Sequence, residues 1–163
     1  MEPLSLEQTV DINAPVETVW ALIGDVRRMA EWSPQVDSVR LSDGATELGV
    51  GTKFTNLNHD GDQQWVTHAQ IVEWEPPLRV AFKIIENWTI WSYECSPTPS
   101  GTRVVQRRVA PQGVNPLAQE YVEQNLGGSE SFAAAVTQGA RTTLDRLKAA
   151  AEATREPSKE AAV

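Results

Sequence analysis

Cysteine is almost missing from this chain of 163 residues, in which Cys95 stands alone. A lone cysteine excludes an intrachain disulfide and a thiolate zinc cluster, and it fits a reducing cytoplasm. Histidine is scarce as well. His59 and His68 have no His-x-x-His spacing and no carboxylate cluster beside them, so no metal site is expected. No apolar run reaches the ~20 residues of a membrane span. The opening Met1-Glu2-Pro3-Leu4 lacks the basic-then-apolar order of a secretory signal, which again leads to a cytoplasmic expectation. Positive charge is in deficit: 14 Lys and Arg against 22 Asp and Glu give a net charge of −8. That balance excludes nucleic acid and anionic lipid as natural partners, since both recruit clustered Lys and Arg. No Gly-rich loop links a strand to a helix, so no nucleotide cofactor is expected. Ser33 and Ser129 lack the setting of an activated nucleophile.

What is present is an ordinary globular composition, 40% hydrophobic and 22% charged, at the length of one domain. The anomaly is tryptophan, with six copies against three Phe and two Tyr. Indole rings are too large to be buried in such number without consequence.

Period-two alternation over Leu4 to Ile12 predicts a strand with Leu6, Gln8, Val10 and Ile12 on its inner side. Asn13-Ala14-Pro15 opens a helix whose stripe is Val16, Val19, Trp20 and Ile23. Asp25 caps a second short helix carrying Val26, Met29 and Trp32 inward, and Pro34 stops it. Strands follow over Val36 to Leu41, Thr52 to Leu57, Trp65 to Trp74, Leu78 to Ile85, Trp88 to Cys95 and Thr102 to Val109. Asn58 to Asp62 and Ser96 to Gly101 are expected as loops. After Pro111-Gln112-Gly113 the pattern is helical, with Leu117 and Tyr121 on one face and a possible hinge at Gly127-Gly128. Ser129 starts a long helix with the stripe Phe132, Val136, Ala140, Thr143, Leu144 and Leu147, ending near Ala151. Residues 1–152 are read as one domain and 153–163 as a flexible tail.

The fold class that follows is α+β. About seven antiparallel strands form a curved sheet wrapped around the long C-terminal helix, with two short helices after the first strand. The helix presents small residues inward: Ala133, Ala135, Gly139 and Ala140 beside Val136. Small residues either allow close backbone approach or leave volume unfilled. Beside large aromatics on the facing strands the second reading is preferred, and the competing reading is a core packed solid by Trp.

Several segments carry a resemblance. Ile12-Asn13-Ala14-Pro15 with Val19-Trp20, Asp25-Val26 and Trp32-Ser33-Pro34 resembles the opening of the polyketide cyclase/dehydrase branch of the START/Bet v 1-like superfamily. So do Glu73-Trp74-Glu75-Pro76-Pro77, Trp91-x-Tyr93, Gly101-Thr102-Arg103-Val104 and Thr143-Leu144-x-x-Leu147-Lys148. The resemblance implies a helix-grip fold with a deep cavity between the sheet and the last helix, and it favours Trp91 and Tyr93 inward.

The candidate lining is Phe54, Trp65, Phe82, Trp91 and Tyr93 from the strands, with Phe132 and Val136 from the helix. Rigid aromatic walls with a few polar groups describe a small-molecule pocket. Asn56 shares the face of Phe54, and Gln106 and Arg108 share that of Val104, so these three supply the polar groups. An inward Arg is costly unless it is paired or hydrated, and it marks a ligand carbonyl or carboxylate. His68 faces either the cavity or the outer surface. The leading expectation is a module binding a small hydrophobic or aromatic ligand: a lipid, a polyketide or a quinone-like compound. The alternative is a polyketide aromatase/cyclase or dehydratase using Tyr93 or Arg108, with or without His68. A chaperone-cofactor-like interaction domain is the third reading that the resemblance implies. No cofactor and no membrane insertion are expected, and the sequence specifies no protein partner.

Overall fold

The computed structural model describes residues 5–161, with side chains through residue 154. The order is β1 (Ser5–Ile12), α1 (Val16–Ile23), a 3-10 turn (Val26–Arg28) leading into α2 (Met29–Trp32), β2 (Val36–Leu41) and β3 (Lys53–Asp60). Then come β4 (Gln63–Glu75), β5 (Arg79–Ile84), β6 (Ile90–Thr98), β7 (Gly101–Val109), α3 (Pro116–Asn125) and α4 (Ser129–Ala161). The seven strands form one antiparallel sheet in the order β1-β7-β6-β5-β4-β3-β2. The expected helix-grip architecture is the observed one.

The hairpins are tighter than the sequence pattern implied. β3 runs on to Asp60, which pairs with Gln63, so the loop expected at Asn58 to Asp62 shrinks to Gly61-Asp62. Gly61, at φ +60°, adopts the conformation that a two-residue turn needs at its first position. Likewise β6 continues through Ser96 and Pro97 to Thr98. β5 has already ended there, so the missing N–H of Pro97 costs no ladder bond. β6 begins at Ile90 rather than Trp88. Asn87 Oδ1 accepts from Thr89 N at 2.9 Å and from Thr89 Oγ1 at 2.7 Å, and Trp88 is left in the turn at φ +69°. Leu4, expected to begin β1, lies outside the described residues.

Two register shifts, between Val36 and Ser38 and between Ile71 and Glu73, bend the sheet. α4 lies along the edge strand β1 and satisfies carbonyls that the sheet leaves open. Arg141 Nη1 reaches Thr9 O at 3.3 Å and Lys148 Nζ reaches Asp11 O at 3.1 Å. In the opposite sense, Gln8 Nε2 donates to Thr137 O at 3.1 Å. Covering an edge strand in this way removes a template for pairing with another chain.

The core is solid at one end of α4 and open at the other. Leu144, Leu147 and Ala151 are fully buried together with Ile12, Val19, Ile23 and Trp32, the region where α1 and α2 close against the sheet. Leu22 completes the buried side of α1, whereas Trp20 is half-buried and packs on Trp74 with ring centroids 5.3 Å apart. Toward the N-terminal half of α4 the inward face is Val136, Gly139, Ala140 and Thr143, while Ala133 is exposed rather than inward. α3 buries none of its residues: Leu117 and Tyr121 both face solvent, and Leu126 just after the helix is the buried anchor. α4 continues as helix past residue 153, where a tail is expected, to Ala161; residues 162–163 lie outside the described residues.

Candidate ligand-binding site

Under the small-residue half of α4 lies a cavity of about 110 Å³. At ~10–15 Å³ for the centre of one water, that is room for roughly eight waters, or a ligand of about a dozen non-hydrogen atoms. Ala140 lines this space with a single methyl group, Gly139 lies against Pro34 and Gln35 at its edge, and Trp65 and Trp91 stand at its walls. Phe132 packs on Trp65, with ring centroids 6.2 Å apart, and closes one side.

Nine of the ten side chains expected at the site line this cavity: Asn56, Trp65, Phe82, Trp91, Tyr93, Gln106, Arg108, Phe132 and Val136. Phe54 does not. It is buried behind the wall, with its ring against Phe82 at 5.5 Å, because β3 carries it one layer deeper than Asn56. The sequence reading missed Thr67, Asn87, Met29 and Thr143 as lining. Thr67 and Thr143 were legible by parity, Thr67 from Trp65 two residues earlier and Thr143 from the stripe of α4. Asn87 was not, since its place depends on the turn before β6.

The polar lining includes one group on β6 and β7 and another on β3 and β4. Gln106 Nε2 donates to Tyr93 Oη at 2.8 Å, and both residues are fully buried. Burial pushes the Tyr93 phenol well above its ordinary range, so it stays protonated and able to donate. Gln106 Oε1 has no partner among the described residues. Two residues along β7, Arg108 is 8% exposed, and its Nε also lacks a partner among them. The guanidinium sits 5.6 Å from the centroid of the Trp91 ring, a cation–π contact. None of the described lining residues is acidic. Burial alone draws the Arg108 pKa down from 12.5 to about 10.

On the opposite wall, Asn58 Nδ2 donates to Thr67 Oγ1 at 3.0 Å and Trp65 O at 3.3 Å, so its orientation is fixed. Asn56 Oδ1, buried beside it, is unpartnered among the described residues. Buried polar atoms normally find partners, and three orphans facing one void are the signature of a place that something polar fills.

The two histidines lie elsewhere. His68 is on the outer sheet face with its side chain 60% exposed, and its Nδ1 is 2.6 Å from Glu86 Oε2. It cannot act inside the cavity. His59, expected in a turn, is on β3 with Nδ1 2.7 Å from Asp37 Oδ1. Among the described residues no three His, Cys, Asp or Glu side chains converge as metal ligands. No described helix is long and apolar enough to cross a membrane.

Solved structures share this architecture. An aromatase/cyclase, Zhui, from Streptomyces sp. R1128 superposes with a TM-score of 0.75 at 15% identity, covering 93% of this chain and 94% of that one. The di-domain aromatase/cyclase StfQ of the steffimycin biosynthetic pathway gives 0.74 at 15% identity over 94% of this chain. This chain spans about half of that protein, 52%. The polyketide-cyclase-like protein Cgl2372 from Corynebacterium glutamicum gives 0.59 at 24% identity, with 90% of each chain covered. At these identities the likeness establishes the fold. A comparison with curated proteins gave no significant match. Residues 3–152 match the family described as polyketide cyclase / dehydrase and lipid transport, and the chain belongs to that family.

Proposed function

We propose that this protein binds a small hydrophobic or aromatic molecule with an oxygen-bearing polar end in the cavity beneath α4. One observation carries the reading: Arg108, a buried cation with no acidic partner in the lining, sits beside aromatic walls at an open void. Desolvating a cation in this way costs folding more than its contact with Trp91 returns. Such an arrangement makes sense where a ligand carbonyl or carboxylate completes the site. The apolar walls then supply affinity at about 25 cal/mol per Å² buried.

Titration with fatty acids, flavonoids and polyketide-like aromatics, followed by Trp fluorescence and methyl NMR, tests the proposal. Bound ligand shifts the methyls of Val136 and Ala140 and perturbs Trp65 and Trp91 emission. The absence of interior shifts with every apolar ligand overturns it.

A second reading, an aromatase/cyclase or dehydratase, draws on Tyr93. Its buried phenol accepts from Gln106, remains protonated and faces the same void as Arg108. That is a proton donor and an oxyanion partner on one void, which is what folding and dehydrating a poly-β-keto chain requires. Turnover of a poly-β-keto thioester, lost in Tyr93→Phe and in Arg108→Ala, supports this reading; wild-type rates in both variants refute these roles.

A further inference from the structure

The orphaned polar atoms lie at two ends of the cavity, and only one of those ends carries a charge. At the β7 end, Arg108 Nε is a donor without an acceptor, Gln106 Oε1 is an acceptor without a donor, and the Tyr93 hydroxyl, which accepts from Gln106, retains its own proton. At the β3 end, Asn56 Oδ1 is an acceptor without a donor. Asn58 beside it is already committed to Thr67 and Trp65, so it cannot serve Asn56. β7 and β3 are separated by β6, β5 and β4. Four ladder steps of about 4.8 Å give a path of about 19 Å along the sheet, which curvature and inward side chains shorten across the void. The space between the ends is walled by Trp65, Phe82 and Trp91.

A simple fatty acid satisfies Arg108 and leaves Asn56 unpaired, and its chain exceeds the dozen or so atoms that the cavity holds. A compact ring with neighbouring polar groups reaches one end only. From this arrangement we infer that the preferred ligand is a bipolar, ring-sized aromatic molecule, with a carboxylate or other anionic oxygen at one end and a hydrogen-bond-donating hydroxyl at the far end. The class is the para-hydroxyaryl acids rather than long-chain lipids. The inference rests on the cavity being a binding site. It adds the requirement for a donor opposite the acid.

Isothermal titration of the full chain with four probes separates the ends: 4-hydroxycinnamate, cinnamate, 4-hydroxycinnamyl alcohol and myristate. The first binds about tenfold tighter than cinnamate, the scale of one buried neutral hydrogen bond. It also binds tens-fold tighter than the alcohol, the scale of a charge-assisted one. Myristate binds weakest. In Asn56→Leu the first two probes become equal while cinnamate keeps its wild-type affinity. In Arg108→Gln the advantage of the acid over the alcohol disappears. The comparison of probes on wild-type protein stands even if a variant fails to fold. Equal binding of cinnamate and 4-hydroxycinnamate, or tighter binding of myristate, overturns the inference while leaving a ligand cavity in place. Binding of flavonoids without any of the hydroxyaryl probes has the same meaning. Silence of all four probes and of every apolar ligand instead removes the binding reading beneath it.

Discussion

Arg108 is held over the ring of Trp91 at 5.6 Å, and not beside a carboxylate. The indole face compensates part of the charge without competing for the guanidinium's hydrogen bonds. The cation is therefore stable enough to persist and still available to a ligand.

The first prediction concerns the conflict between stability and binding at this residue. The drop in pKa from 12.5 to about 10 corresponds to a burial cost of about 3 kcal/mol at ~1.4 kcal/mol per unit. The contact with Trp91 returns about 1–2 kcal/mol. Arg108→Met therefore raises unfolding stability by about 1–2 kcal/mol in urea titrations while abolishing binding of acidic aromatic ligands. Loss of stability together with binding indicates that Arg108 is a structural element.

Filling the void tests whether it is open. Ala140 is buried and lines the cavity. Ala140→Leu adds apolar volume where nothing is displaced, so stability holds or rises by about 1 kcal/mol. Ligand affinity falls at least tenfold in the same protein. A destabilisation of about 1–3 kcal/mol, the usual result of overpacking, indicates a closed core.

Cys95 gives a pH dependence with a definite sign. Burial, with a smaller contribution from Glu94, pushes its thiol from 9.0 up to about 12. Above pH 9 the unfolded chain releases a proton that the folded chain retains, so the unfolded state binds fewer protons and stability falls as pH rises. Tyr93, also raised, adds in the same direction above pH 10, and Arg108 opposes both there. Between pH 8 and 10 the decline belongs mainly to Cys95. It is expected to flatten in Cys95→Ala when urea midpoints are measured across that window. The native thiol is also expected to react with a disulfide reagent only at the rate of unfolding.

Gly101 marks a backbone contact that tolerates no side chain. A Cβ there falls 2.2 Å from Ile12 O and 2.8 Å from Ala14 N, where the β6–β7 hairpin presses on the start of α1. Thr102 Oγ1 donates to Ala14 O at 2.8 Å in the same junction. Gly101→Ala is expected to cost about 1–3 kcal/mol in a denaturant titration. Cavity residues are not involved, so ligand affinity measured on the folded fraction stays unchanged.

What the sequence determined by itself is the element order, which residues of each strand share a face, and the small-residue face of α4. Alternation placed Val104, Gln106 and Arg108 on one side of β7, and the helix period grouped Val136, Ala140 and Thr143. These are local consequences of two backbone repeats, and they reach the reader without a fold. Four things had to wait for tertiary structure. Phe54 has the parity of Asn56 but lies one layer deeper, because sheet curvature decides which inward residues touch the void. His68 took the outer face because Trp65, Thr67 and Ala69, of the opposite parity, face inward, and there it meets Glu86. Ala133 left the inner face because it lies off the stripe of Phe132, Val136 and Ala140 that lines the void. Above all, the absence of a hydrogen-bond partner for Arg108 Nε among the described residues is a fact about distances between strands far apart in the chain, and no local pattern encodes it.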